Sequence, residues 1–193
     1  MPQRKTQRKV KDFLQASYLP QKEAAKFINE QYGYQYDPNL SSMQTKVFLS
    51  PGTQEAIVTH RGSKRIIDDW IKTNIPLAIG QEGNTTRFQE AKSTIQRVRE
   101  QYPNYKTISV GHSLGGALAR NSDSDFSVSY NPGIGIGNIG TVVKPNEKIY
   151  RTKGDVVSAL SNVMFGNRNE NVINSLNPLT IHSYHSLPDD VFF

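Results

Sequence analysis

Apolar and polar positions alternate in blocks along the 193 residues, and the blocks predict the elements. "PQKEAAKFINEQYG" reads as a helix that Pro20 opens and Gly33 stops. "TKVFLS" and "EAIVTH", separated by "PGTQ", read as two strands of a hairpin over residues 45 to 60. "RIIDDWI" is a short helical piece. In "TTRFQEAKSTIQRVREQYP" the residues Phe88, Ala91, Ile95, Val98 and Tyr102 recur at three- and four-residue steps, which predicts a helix with one buried face. Thr85 or Thr86 is its cap and Pro103 its stop. "KTISV" then reads as a strand, "LGGALAR" as a helix, and "DFSVSY" and "KIYRT" as strands. This alternation predicts an α/β layered fold with a mostly parallel sheet, made mixed by the hairpin.

Composition narrows the chemistry. The chain has no cysteine, which excludes disulfides, thiolate catalysis and cysteine zinc sites, so a nucleophile here is an oxygen or a nitrogen. No apolar run has the length of a membrane span. The basic start "MPQRKTQRKVKDF" is not followed by the apolar core of a signal peptide, so a cytoplasmic or peripheral membrane location is expected. The net charge of +6 is concentrated. Arg4, Lys5, Arg8, Lys9 and Lys11 precede any acidic residue, and the remainder holds 18 basic against 17 acidic residues. A basic tail over residues 1–19 on a single domain of residues 20–193 is the expected layout, the tail being either a solvated terminus or a contact with an anionic membrane surface, with nucleic acid disfavoured.

The candidate chemistry sits in "ISVGHSLGGALAR". A strand, Gly-His-Ser-Leu-Gly and a small-residue helix have the form of a nucleophile elbow, in which a tight turn exposes the serine and leaves no room for Cβ atoms two positions to either side. Ser113 is then the nucleophile. A serine hydroxyl needs a histidine to take its proton and a carboxylate to orient that histidine, in the chain order Ser, acid, His. His60 precedes the serine and His112 adjoins it, which leaves His182 and His185. The acids between are Asp123, Asp125, Glu147, Asp155 and Glu170. Asp123 and Asp125 follow Ser113 before the next strand has begun, whereas Asp155 follows a strand and a glycine turn, where α/β sites form.

These residues resemble the fungal-type, or class 3, lipase family of α/β-hydrolases, through most of residues 40 to 187. "VTHRGS" resembles its Arg-Gly-Thr/Ser motif, "DDWI" the Asp-Trp that follows, "GHSLGGALA" its elbow, "SYNPGIG" the segment after the next strand, and "GDVVSAL" its Asp-x-Val stretch. The resemblance implies an α/β-hydrolase fold with a mixed, mostly parallel sheet flanked by helices. It implies Ser113 as nucleophile, Asp155 as triad acid, and Ser63 and the Leu114 N–H as oxyanion donors. His182, trailed by Tyr184 and Leu187, is favoured as the base, with His185 as the alternative. The implied activity is hydrolysis of lipid esters, acylglycerol or phospholipid, without a cofactor or metal. Residues 74 to 86, where a lid is expected, are short with a polar second half, which weighs against strong interfacial activation. The rival expectation is a catalytically silent hydrolase fold that binds membrane or nucleic acid through its basic tail.

Three local readings compete with chemistry. Trp70 is expected to pack in the core, Arg61 to make a structural ion pair, and Gly62 to permit a turn. "GIGIGNIG" lacks the helix that a dinucleotide loop requires, and "NSDSDF" lacks the glycine of a calcium loop.

Overall fold

The computed structural model describes residues 7–63, 82–133, 144–155, 171–174 and 183–193. In chain order these form α1 (Val10–Tyr18), α2 (Gln21–Tyr32), β1 (Gln35–Asp37), β2 (Thr45–Ser50), β3 (Glu55–His60), α3 (Glu82–Gln101), β4 (Lys106–His112), α4 (Leu114–Arg120), β5 (Phe126–Tyr130), β6 (Glu147–Thr152), β7 (Asn171–Ile173) and a 3-10 turn (Tyr184–Ser186). The sheet runs β1 to β7 in order. β1, β2 and β3 pair antiparallel, and β3 through β7 pair parallel. This is the mixed, mostly parallel sheet of an α/β-hydrolase.

Side chains alternate across the strands and build two cores. Phe48, Ile57, Ile108, Val110 and Val128 face α1 and α2, while Val47, Leu49, Ala56 and Val58 face Ile95 and Val98 of α3. Leu114 and Leu118 of α4 pack on Ala91 of α3. The stripe expected on α3 is buried at Ala91, Ile95 and Val98 and partly buried at Phe88 and Tyr102, and the helix begins at Glu82, upstream of the expected threonine caps. Its first turn occupies the end of the segment where a lid was expected. α2 ends as its sequence predicts: Gly33 takes the left-handed conformation at φ 72°, and its N–H closes on the Asn29 carbonyl at 2.8 Å.

The basic tail expected over residues 1–19 is not what the described part of that segment forms. Val10, Phe13, Leu14 and Ser17 recur at helical spacing and are buried, and Phe13 packs against the rings of Tyr32, Tyr34, Phe48 and Phe193. Burial of Val10, Phe13 and Leu14 contributes roughly 1.5–3 kcal/mol each, more than exposed cationic neighbours cost. Those cations are also engaged. Arg8 pairs with Glu55 and donates to the Tyr34 hydroxyl, and Lys11 pairs with Asp189 at 3.1 Å, while the backbone of Lys9 forms an antiparallel bridge with Phe192. Among the described residues no helix is long and apolar enough to cross a membrane.

Candidate active site

Parallel strands end on a common edge, and the candidate residues lie just beyond those ends. Ser63 follows β3, Ser113 follows β4 and Asp155 follows β6. Ser113 adopts φ 56°, ψ −125°, a sparsely populated conformation for a residue with a side chain that costs about 1–3 kcal/mol. Several contacts hold it there. The Ser113 N–H donates to the Tyr130 carbonyl at 3.1 Å, and its own carbonyl accepts from the Gly133 and Ala117 N–H groups at 2.9 and 3.1 Å.

The flanking glycines allow the turn to close. A Cβ on Gly111 would lie 2.0 Å from the Gly115 oxygen, and one on Gly115 would lie 2.1 Å from the His60 oxygen. Gly62 has the same role on the neighbouring strand. A Cβ there would meet the Tyr18 hydroxyl at 2.5 Å, the His112 oxygen at 2.9 Å and Ser113 Cβ at 3.5 Å. Gly62 therefore lets the segment carrying Ser63 pass directly beside the serine. Leu114 opens α4, so its N–H is among the first N–H groups that no intrahelical carbonyl can accept.

A second network joins the serine turn to Asp155. Tyr130, whose carbonyl holds the Ser113 N–H, bonds through its hydroxyl to Thr152 Oγ1 at 2.5 Å. Asn131, in the left-handed region at φ 40°, accepts the Thr152 N–H at 2.8 Å and donates to Thr152 Oγ1 at 3.2 Å. The Thr152 carbonyl then accepts the Asp155 N–H at 3.1 Å. Ser113 and Asp155 are both buried. Burial raises the Tyr130 pKa, and the nearby Asp155 charge adds to the rise.

The other acids are occupied elsewhere. Asp125 accepts from the N–H and hydroxyl of Thr107, at the amino end of β4, and pairs with Arg99 at 2.7 Å. Asp123 pairs with Lys92, and Glu147 holds Arg120 through two bonds of 3.1 Å. Glu170 lies outside the described residues.

Three of the four histidines are described. His60 is fully buried among Thr45 and Ser109, and burial lowers its pKa to about 3, so the ring is neutral. His112 Nδ1 bonds to the Tyr18 hydroxyl at 3.0 Å. His185 is exposed. Its backbone N–H donates to Ser183 Oγ, and its ring lies 4.1 Å from that of Tyr184. His182, Trp70 and Gly135 to Gly140 lie outside the described residues.

Tyr18 escapes a local reading of the sequence, since it precedes His112 by 94 positions. Its hydroxyl meets both His112 and the Gly62 N–H, and its ring stacks on Tyr184 at 5.3 Å. Burial pushes its pKa to about 12, so it stays a neutral phenol. The ion pair expected of Arg61 is not among the contacts of the described residues, and Asp68 and Asp69 lie outside them. The Arg61 guanidinium sits 5.9 Å above the Tyr18 ring.

Comparison with known proteins agrees with this architecture. Residues 53–131, from the start of β3 through the serine turn to the end of β5, match the family Lipase (class 3). Among solved structures, a fungal lipase superposes with a TM-score of 0.57 at 16% identity, over 92% of this chain and 82% of that one. MDLA from Penicillium cyclopium, in a single-substitution mutant, gives 0.52 at 18% identity, over 95% and 83%. The Rhizomucor miehei lipase in its propeptide complex gives 0.50 at 16% identity; the match covers 78% of this chain and 61% of that one, less than two thirds of its length. At such identities the likeness is one of fold. No curated protein sequence matches the chain. With the serine turn and its flanking strands inside the matched segment, the chain is similar to the class 3 lipase family over residues 53–131 and has the fold of the fungal lipases.

Proposed function

We propose that the protein hydrolyses carboxylic esters of lipids, acylglycerol or phospholipid, through a triad of Ser113, Asp155 and His182. The observation that carries this reading is the strained Ser113 at the end of β4, tied through Tyr130, Asn131 and Thr152 to a buried Asp155 at the same sheet edge. His182 is the favoured base because the other histidines are otherwise placed: His60 is interior and neutral, His112 is bonded to Tyr18, and His185 is exposed on the 3-10 turn.

In this mechanism Ser113 Oγ attacks the ester carbonyl carbon while His182 takes the hydroxyl proton and Asp155 stabilises the imidazolium. The carbonyl oxygen becomes an oxyanion held by Ser63 and the Leu114 N–H. The intermediate collapses, the C–O bond to the alcohol breaks, and the leaving oxygen takes the proton from His182. Water, deprotonated by His182, then adds to the acyl-serine and releases the carboxylic acid with Ser113 restored. Neither half-reaction requires a metal or an organic cofactor.

The test is turnover of short-chain p-nitrophenyl and glyceride esters, with fluorophosphonate labelling. Ser113→Ala is expected to lose labelling and several orders of magnitude in kcat. His182→Ala is expected to match it and His185→Ala to cost little. Full activity in folded Ser113→Ala refutes the mechanism, and a severe loss confined to His185→Ala transfers the base to that residue.

A further inference from the structure

The sheet edge that carries Ser113 also carries a group of cations. β2 runs antiparallel to β3, with Thr45 opposite His60 and Lys46 opposite Thr59, so the start of β2 lies where β3 and β4 end. There Lys46 and Arg61 face a cavity of 310 Å³ whose walls include Tyr18, Leu19, Pro20 and Met43. Lys46 is 1% exposed, and its ammonium donates to the Ser17 carbonyl at 2.8 Å. One carbonyl takes one of the three ammonium donors. Burial and the neighbouring Arg61 charge lower the Lys46 pKa to about 8. Arg87 of α3 donates to the Arg61 carbonyl and adds a third positive charge, with Glu90 near it. Among the described residues, neither Lys46 nor Arg61 has a carboxylate within salt-bridge distance.

Two cations on one partly desolvated wall form a strong local field for an anion, because the low-dielectric surroundings screen them little. One wall of the cavity reaches the serine turn. That wall, Tyr18, bonds to His112 and Gly62, and Arg61 immediately precedes Gly62. Its rim is apolar. Leu19 and Pro20 line it, and Met43 is 72% exposed beside it. An anion with an apolar body attached fits this combination better than a free ion does.

We propose that the cavity receives the phosphate of a glycerophospholipid whose acyl ester lies at Ser113, making phosphate-bearing glycerolipids the preferred substrates. The proposal rests on the esterase reading above. In such a lipid only glycerol carbons separate the phosphate from the acyl ester, so one molecule would reach from the cavity past Tyr18 to the serine. A neutral acylglycerol gives the two cations no counter-charge.

The experiment compares monomeric dihexanoyl phosphatidic acid with dihexanoylglycerol, as the ratio of kcat/KM within each protein. The wild type is expected to favour the phosphatidic acid. Lys46→Met and Arg61→Gln are each expected to lower the ratio by about tenfold or more, mainly through KM, with Lys46→Arg restoring it. An unchanged ratio in both charge-removing variants, or a wild-type preference for dihexanoylglycerol, overturns the proposal. If Lys46→Met does not fold, Arg61→Gln decides, because its side chain is only half-buried. If the wild type hydrolyses neither ester, the esterase reading fails, and calorimetric binding of the phosphatidic acid tests the cavity alone. Weaker binding by Arg61→Gln supports it and equal binding overturns it. Inorganic phosphate that competes as well as the lipid does marks a free-ion site and also overturns it.

Discussion

Gly115→Ala tests whether close backbone approach, rather than the strained serine conformation alone, sets the serine turn. The new methyl group would lie 2.1 Å from the His60 oxygen, 2.9 Å from the His60 carbonyl carbon and 3.1 Å from the Arg61 carbonyl carbon. All three are backbone atoms of β3 and its exit, so no rotamer change relieves the clash. Carbon–oxygen contacts are comfortable above roughly 3.4 Å, so α4 must lift from the sheet by more than about 1 Å. That movement unpacks Leu114, Ala117 and Leu118, all buried. Overpacking typically costs 1–3 kcal/mol and more where backbone must shift, so a loss of at least about 3 kcal/mol is expected, equivalent to roughly 6–12 °C in melting temperature. Gly33→Ala is the control. It is left-handed at φ 72° with no atom within 4 Å of a built Cβ, so it incurs only conformational strain, about 1–2 kcal/mol, partly offset by a less flexible unfolded chain. Urea unfolding followed by circular dichroism measures both. Equal midpoints for the two variants would refute the steric argument.

The remaining predictions concern stability. Deleting residues 1–11 removes the Arg8 contacts and the buried Val10, so it is expected to cost at least about 3 kcal/mol rather than only weaken vesicle binding. Unchanged urea midpoints would show that the amino-terminal helix is not part of the folding unit. His60 has a folded pKa of about 3 against 6.5 ordinarily, so the unfolded chain binds a proton that the folded chain refuses. Its stabilising contribution is complete above pH 6.5 and is lost as pH falls toward 3, by up to about 1.4 kcal/mol per pH unit. His60→Asn should flatten the decline of urea midpoints over that range, and an unaltered slope would contradict the assignment.

Much of the sheet was legible because its signals are local. The hairpin of β2 and β3 follows from two β-branched runs around "PGTQ", and the α3 face from apolar residues at three- and four-residue steps. The serine turn was legible for a related reason. A backbone this tight tolerates only glycine at positions 111 and 115, and that restriction is written directly in the residue types. β1 and β7 were not legible. Each is three residues long, too short to show a period of two, and each exists only because a longer strand offers it an edge. Setting Asp123 and Asp125 aside on strand direction agrees with where their carboxylates lie, on Lys92 and on Thr107 with Arg99.

The misread amino terminus shows why charge counts mislead on a helix. Five cations in eleven residues suggested a solvated tail, but a count ignores which face each residue occupies. Val10, Phe13, Leu14 and Ser17 lie on one side of α1, and Phe13 alone meets four aromatic rings. The cations Arg8 and Lys11 sit where Glu55 and Asp189 receive them, and the backbone of Lys9 is held by a bridge to Phe192. Once α1 is docked, its last residue, Tyr18, necessarily reaches the end of the sheet where β3 and β4 terminate. There it contacts Gly62 and His112 and forms a wall of the cavity lined by Lys46 and Arg61. A tyrosine at that position has no motif of its own. Its place beside the serine follows from the burial of α1, so the apolar stripe hidden among the charges was the signal that could have found it.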